Sequence, residues 1–348
     1  MSGRRPRRQR TEATEMAKIG TLTRAQAAKT LLGLVPKISV ENLVRASRFA
    51  EKLTRVERDR AVIRALRELF EREHPAILMA KDVMERLSPN VRRKIIENLF
   101  VNAFLIGTDK REIEMPKKEG FKPPMLLVIS PTMRCNLRCP GCYAGEYEQH
   151  KGLSTEAVDR IIREAKEMGT YFITMSGGEI FMRPDMFDIW KEHDDVFFQL
   201  YTNGSLIDKK VAARLEDCGN VAPMISLEGF RERTDERRGP GAFDTVLEAM
   251  DNLREAGVLF GTSFTETREN MEEIASDEIL DLLVEKGALG GVVSSSSPQA
   301  VTPKRCAGTT RCQGPGNVTR RPSREPARGS RETGLALAAA GVSRRRRC

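Results

Sequence analysis

Three cysteines lie in one segment of eight residues, and their type and spacing point most directly to chemistry. Cys135, Cys139 and Cys142 follow the pattern C-x3-C-x2-C. Three thiolates on one tight loop can hold three corners of an iron–sulfur cluster, and Pro140 with Gly141 supplies a turn between the last two. Because a site that does chemistry keeps a coordination position open, we interpret the missing fourth ligand as an iron left free for a small molecule.

Other ligand sets stay open at this point. His150 is the nearest residue in sequence that could supply a fourth ligand. A zinc site completed by a distant ligand, or a chance cluster of buried thiols, is the alternative to an open iron–sulfur site. Cys218 stands apart from the motif, and we interpret it as a small buried hydrophobic residue.

Short β-branched or aromatic strands alternate with amphipathic helices around the motif. This alternation predicts an α/β fold with a parallel sheet, and the run of strand–helix units predicts a partial (β/α)6 TIM-type barrel. The cysteines follow the first predicted strand, at the carboxyl-terminal edge where barrel chemistry usually lies. The predicted strands are 126–130, 171–175, 196–201, 222–227 and 258–264, and the predicted helices are 155–168, 184–192, 208–217, 243–256 and 270–286.

Composition and periodicity divide the chain into four parts. Residues 1–20 are predicted to be a disordered basic tail, 21–115 a helical accessory domain, 116–288 the partial barrel and 289–348 a low-complexity tail. Residues 290–293 are the best candidate for a sixth strand, but they run into four serines. Residues 289–348 contain no Phe, Tyr, Trp, Ile or Met. We interpret them as non-native sequence from a frameshift or a wrong gene end, with a disordered basic arm as the alternative.

The charge of the chain is concentrated at its two ends. The net charge is +9, but residues 289–348 carry +10 and the first ten residues carry five arginines, which leaves −6 for residues 11–288. A mildly acidic body argues against a folded nucleic-acid-binding face. No stretch approaches 18 uninterrupted apolar residues, and no apolar segment follows the basic amino terminus, so we expect a cytoplasmic protein without a membrane span.

The sequence resembles the radical S-adenosylmethionine (SAM) superfamily over residues 124–287. Cys135, Cys139 and Cys142 match the superfamily signature, and CNLRCPGCYAG followed by GGE, TNG and SLEG is most similar to the branch of molybdenum-cofactor, haem-related and peptide-modifying enzymes. The resemblance implies a [4Fe-4S] cluster on the three cysteines. It also implies that SAM binds the open iron and is cleaved reductively to a 5′-deoxyadenosyl radical.

The resemblance also implies which residues contact SAM. Gly177, Gly178 and Glu179 correspond to the element that holds the SAM amino group, since glycines allow close approach and a carboxylate can accept from an ammonium. Ser226 and Glu228 resemble the polar pair near the ribose hydroxyls. The alternatives are an ordinary turn for the first set and a hydrophilic strand end for the second.

Partners follow from the same resemblance. We expect a small-molecule or peptide substrate and an electron donor such as flavodoxin or ferredoxin. Members of this branch often carry extra clusters in a carboxyl-terminal domain, but the surroundings of Cys306 and Cys312 lack the expected partners. The segment 231–238 (RERTDERR) is predicted to be an exposed loop or a gate at the barrel mouth.

Two functional alternatives remain. The chain could be a non-catalytic iron–sulfur electron carrier or redox sensor, or an inactive truncated product. The open fourth position disfavours a carrier, because electron carriers normally use four protein thiolates.

Overall fold

The computed structural model describes residues 40–53, 57–145 and 152–295. Its centre is a six-stranded sheet in the order β1-β2-β3-β4-β5-β6, in which every neighbouring pair is parallel. Parallel neighbours place the loops that follow all strands at one carboxyl-terminal edge. This open sheet confirms the predicted α/β partial barrel. The strands are β1 (Leu126–Thr132), β2 (Phe172–Gly177), β3 (Phe197–Thr202), β4 (Val221–Ser226), β5 (Gly261–Glu266) and β6 (Gly291–Ser295).

The last strand corrects the predicted end of ordered structure at residue 288. β6 pairs with β5 along its whole length, with Val292 opposite Ser263 and Val293 opposite Phe264. The change in composition hid this strand, because the ladder is made by backbone groups and tolerates serine at its end. The sheet therefore has the sixth strand that residues 290–293 suggested.

Helices cover the outer face of the sheet. Several helices begin at side-chain caps: Ser154 accepts from the Ala157 N–H, and Ser88, Asp208 and Ser276 cap their helices in the same way. The helices are α1 (Val40–Leu53), α2 (Glu57–Glu71), α3 (Pro75–Arg86), α4 (Pro89–Ile95), α5 (Gly107–Asp109), α6 (Met115–Glu119), α7 (Thr155–Glu167), α8 (Met186–Glu192), α9 (Lys209–Cys218), α10 (Arg231–Arg238), α11 (Ala242–Glu255), α12 (Met271–Ile274) and α13 (Asp277–Lys286).

The main core lies between the sheet and these outer helices. Phe198 and Leu200 of β3 are fully buried there, beside Trp190 of α8. Since successive side chains of a strand point to opposite faces, Gln199 and Tyr201 face the concave side of the sheet. The carboxyl-terminal half of the concave side of β3 therefore carries hydrogen-bonding side chains, whereas Phe197 on the same side is apolar.

Two predicted elements differ from the structure. The segment predicted as an exposed loop is helix α10, and the single predicted helix 270–286 is divided into α12 and α13. Ser276 caps α13 and thereby separates the two helices. In α10, the last turn is held by tertiary ion pairs described below, which a reading of local charge could not identify.

Helices α3 and α4 and the π-helical turn that follows α4 close the amino-terminal edge of the sheet. Residues 89–119 form one helical run, in which π-helical turns (Ile96–Ile106 and Lys110–Glu114) connect α4, α5 and α6. Val91 and Ile95 pack with Phe197 and Leu259 in a second apolar cluster. Asn98 donates to the carbonyl of Val196, just before β3. The predicted boundary at 115/116 therefore falls inside a helical run that packs on the sheet.

Several predictions concern residues outside the described ranges. These are the tail 1–20, the first residues (21–39) of the predicted helical accessory domain, His150, and residues 296–348 with Cys306 and Cys312. Among the described helices, none has the length and apolar character needed to span a bilayer.

Candidate functional site

The three motif cysteines lie on the loop that leaves β1, which we call the cysteine loop (residues 133–142). The Cys142 N–H donates to the Cys139 carbonyl at 3.2 Å, and Gly141 between them has a φ of +70°. This turn requires the left-handed region that glycine enters without strain. Cys135, Cys139 and Cys142 are all partly exposed at the carboxyl-terminal edge of the sheet.

The two glycines after β2 pack against the backbone of the cysteine loop. The Gly178 N–H donates to the Thr132 carbonyl at 2.8 Å, and the Glu179 N–H donates to the Arg134 carbonyl at 2.8 Å. A Cβ on Gly178 would overlap the Arg134 carbonyl, and one on Gly177 would overlap the Thr132 carbonyl. In this structure the two glycines therefore allow the end of β2 to pack closely against the backbone at the end of β1 and the start of the cysteine loop.

Glu179 is almost fully buried, with 1% of its surface exposed. Its carboxylate accepts from the Phe181 N–H at 3.1 Å, from the Thr202 hydroxyl at 2.8 Å and from the Asn203 N–H at 2.8 Å. Burial raises the pKa of Glu179, and the three donors partly oppose that rise. The side chain predicted to accept from the SAM ammonium thus joins the end of β2 to the end of β3.

Asn203 links the end of β3 to the cysteine loop, a role that the sequence motif TNG did not reveal. Its Nδ2 lies 3.8 Å from the Cys135 Sγ and 2.9 Å from the Asn136 Oδ1. Asn136 in turn donates to the Ser205 hydroxyl at 2.8 Å. The position of TNG at the carboxyl end of the strand next to β2 is the signal that could have identified it.

Glu228 is buried beneath two arginines of α10. With 2% of its side chain exposed, it pairs with Arg237 at 2.6 Å and Arg238 at 2.5 Å, and the Thr265 N–H donates to it at 3.2 Å. Ser226, at the end of β4, is partly exposed and lies opposite Ser263 of β5. The predicted ribose pair is therefore near the mouth, but the Glu228 carboxylate is already occupied.

Tyr143 connects the far end of the cysteine motif to β2. Its hydroxyl lies 2.9 Å from the Ser176 hydroxyl, while about half of the residue is exposed. Tyr143 directly follows Cys142, the last cysteine of the motif. The aromatic side chain is thus placed beside the Gly177–Gly178 segment.

The donor set of the cysteine loop fits an anionic iron–sulfur cluster. Burial raises the pKa of the Cys139 thiol, whereas the charges of Arg238 and Arg237 favour its thiolate. An N–H donor from Leu137 reaches the Cys135 Sγ at 3.4 Å, in addition to Asn203. Partly exposed thiols with N–H donors and nearby cations suit cluster ligation. Within the described ranges, no three His, Cys, Asp or Glu side chains converge on a single metal ion.

A partly buried ion pair fixes the segment that follows the glycines. Arg183 binds Asp185 through two hydrogen bonds of 2.8 and 2.6 Å. The same guanidinium donates to the carbonyls of Pro131 at 3.2 Å and Leu153 at 2.9 Å. The pair therefore ties the end of β1 to the chain after β2.

We expect Asp185→Asn to destabilise the protein by about 1 kcal/mol at neutral pH. Arg183 lowers the pKa of Asp185 from 3.8 to about 2, so the contribution is present above pH 3.8 and is lost as the pH falls toward 2. Urea denaturation at pH 7 and pH 3 measures the difference between wild type and variant. Asp281→Asn, at an exposed position of α13, is the control, and a difference that grows at pH 3 contradicts the prediction.

Comparison with known proteins gives the following matches. Residues 129–278 match the Radical SAM superfamily. An Fe-coproporphyrin III synthase of Methanosarcina barkeri is 36% identical over 53% of this chain and 47% of its own, and the mycofactocin maturase MftC of Mycolicibacterium smegmatis is 32% identical over 49% and 44%. The solved structure of Streptococcus suis SuiB bound to its precursor peptide SuiA is 24% identical over 56% and 44%, with a TM-score of 0.47.

The chain spans about half the length of the curated relatives it matches. The matched residues begin in β1 and end in α13, so they include the cysteine loop and the strand ends that surround it. Residues 129–278 are therefore a radical SAM domain.

Proposed function

We propose that this chain is a radical SAM enzyme that modifies a peptide or a cofactor precursor. Cys135, Cys139 and Cys142 would hold a [4Fe-4S] cluster. One observation carries the proposal: in a chain with a radical SAM domain, the segment Gly177–Glu179 and Asn203 both bond directly to the cysteine loop. When bound, the cluster supplies the electron for reductive cleavage of SAM.

The residues around the loop would position the cluster and SAM. Thr132 and Arg134 carbonyls accept from Gly178 and Glu179, so the loop is fixed from β2. Because the Glu179 carboxylate already accepts three hydrogen bonds, we infer that this segment meets the methionine end of SAM through backbone groups. Ser226, partly exposed at the end of β4, remains the candidate for the ribose hydroxyls.

The substrate class rests on the relatives and on the concave face. The relatives named above are a synthase of an iron porphyrinoid and a maturase. Gln199 and Tyr201 give the central strand an uncharged, hydrogen-bonding surface. A peptide or a cofactor precursor suits that surface. We also propose a cytoplasmic location and a small electron-transfer protein, such as flavodoxin or ferredoxin, as the donor.

Anaerobic reconstitution with iron and sulfide tests the proposal. We expect about four irons per chain, an EPR signal of the dithionite-reduced protein that changes when SAM is added, and release of 5′-deoxyadenosine. Cys139→Ser should lower iron content and release by more than about tenfold. The matched control is Cys218→Ala, since Cys218 is buried in α9 away from the loop.

The outcomes separate the proposal from its alternatives. If the EPR signal of the cluster does not change when SAM is added, the chain is an electron carrier or sensor, because a ligand on the open iron must alter that signal. A single zinc per chain, or iron retained in Cys139→Ser but lost in Cys218→Ala, contradicts the assignment of the loop.

A further inference from the structure

Two guanidinium groups share one buried carboxylate beside the cysteine loop. We call Glu228, Arg237 and Arg238 the charge triad. Arg237 and Arg238 are 20% and 10% exposed and Glu228 is 2% exposed. One carboxylate neutralises only one of the two cations, so the triad carries a net charge of +1 in a largely water-excluded place.

The triad is held rigidly from several elements. Arg238 uses both Nε, at 3.1 Å, and Nη2, at 2.5 Å, on the same Glu228 oxygen. The other Glu228 oxygen accepts from the Thr265 N–H of β5, and the Glu228 carbonyl accepts from Asn270 at 3.0 Å. The position of the charge is therefore fixed by the fold and not by a mobile side chain.

The triad also contacts the cysteine loop directly. Arg237 Nε donates to the Pro140 carbonyl at 3.4 Å, between Cys139 and Cys142. The nearby acids Asp235 and Glu273 accept from backbone N–H groups, Gly241 and Phe243 for the first and Phe230 for the second. Glu179 also interacts with Arg238, and its carboxylate accepts its three hydrogen bonds from other residues. The charges of Arg238 and Arg237 both act on the Cys139 thiol, so the positive charge of the two arginines reaches the cysteine loop.

We propose that Arg237 and Arg238 are positioning residues that hold the cysteine loop and raise the reduction potential of its cluster, with Glu228 as their anchor. This inference rests on the proposed function. The cluster gains a negative charge on reduction, and a fixed cation favours the reduced state. At an effective dielectric constant of about 20 and a separation on the order of 10 Å, one unit charge changes the ratio of reduced to oxidised cluster by about tenfold.

Redox titration of the reconstituted protein, followed by EPR, tests this. Arg238→Gln and Arg237→Gln should each shift the midpoint to more negative potential, lowering the reduced fraction at fixed potential by about tenfold. Glu228→Gln should shift it the opposite way. Arg238→Lys keeps the charge and should stay near wild type. Asp244→Asn, which removes the exposed ion pair between Arg231 of the same helix and Asp244 of α11, is the control.

Shifts of opposite sign distinguish charge from disturbance of the loop. If all variants shift in one direction with reduced iron content, or if Arg238→Gln matches Arg238→Lys, the inference is wrong. If Glu228→Gln fails to fold, the midpoint potentials of Arg238→Gln and Arg238→Lys are compared instead, because only the first variant removes the charge. A wild-type protein that takes up no cluster instead overturns the proposed function. A loaded wild type with unshifted arginine variants overturns only the role of the triad.

Discussion

Replacing Gly178 with alanine is expected to prevent cluster loading while leaving all three cysteines in place. The new methyl group would overlap the Arg134 carbonyl, a backbone atom that cannot rotate away. The cysteine loop or the end of β2 must move, at a cost of about 2 kcal/mol. We expect iron content after reconstitution to fall by more than about tenfold. We also expect the variant to have a lower midpoint of urea denaturation than wild type.

Gly145→Ala provides a matched control for that variant. Gly145 is the last residue of the helical turn that follows the cysteine loop. It has no positive φ, and no atom lies near the position of a new Cβ. It should load iron as wild type does. Equal iron content in the two glycine variants would mean that the contact between Gly178 and Arg134 does not hold the loop.

Glu179→Gln is expected to destabilise the protein by about 2 kcal/mol and to lower release of 5′-deoxyadenosine by more than about tenfold. The carboxylate accepts from the backbone N–H groups of Phe181 and Asn203 and from the Thr202 hydroxyl. A glutamine has one carbonyl oxygen for three donors, so its NH2 group must face one of them. Urea denaturation of the protein without cofactors measures the loss.

The stability measurement separates two roles for Glu179. If the role of Glu179 is to bind the SAM ammonium, its replacement should lower SAM affinity and leave the free energy of unfolding unchanged. Glu255→Gln is the control, because Glu255 pairs with Lys209 on an exposed surface where such pairs contribute little. If Glu179→Gln and this control have the same free energy of unfolding, Glu179 does not stabilise the connection between the ends of β2 and β3.

The local sequence predicted the sheet and the cysteine loop well. Strand periodicity identified β1 to β5. The spacing of the three cysteines and their place after β1 were enough to predict that they share one loop at the carboxyl-terminal edge of the sheet. These features depend on residues close in sequence. The sixth strand was harder, since Val292 and Val293 lie in a segment whose composition is unlike that of the barrel.

The connections inside the site depend on tertiary contacts that periodicity does not contain. Glu179 accepts from residues 23 and 24 positions later, at the end of another strand. Gly178 is required by the Arg134 backbone, which lies far away in sequence. Glu228 lies just before α10, whose last turn carries Arg237 and Arg238, but the sequence does not show that these charges meet, since a cluster of mixed charge is more often solvated.

The helical run before β1 has a consequence for how the radical SAM domain can be isolated. Val91 and Ile95 share an apolar cluster with Phe197 at the start of β3, Ala222 near the start of β4 and Leu259 just before β5. Lys94, with 8% of its surface exposed, pairs with Asp194 just before β3. A fragment that starts at residue 116 would open the floor of the barrel to water. We therefore expect the smallest fragment that folds on its own to be larger than the matched residues 129–278.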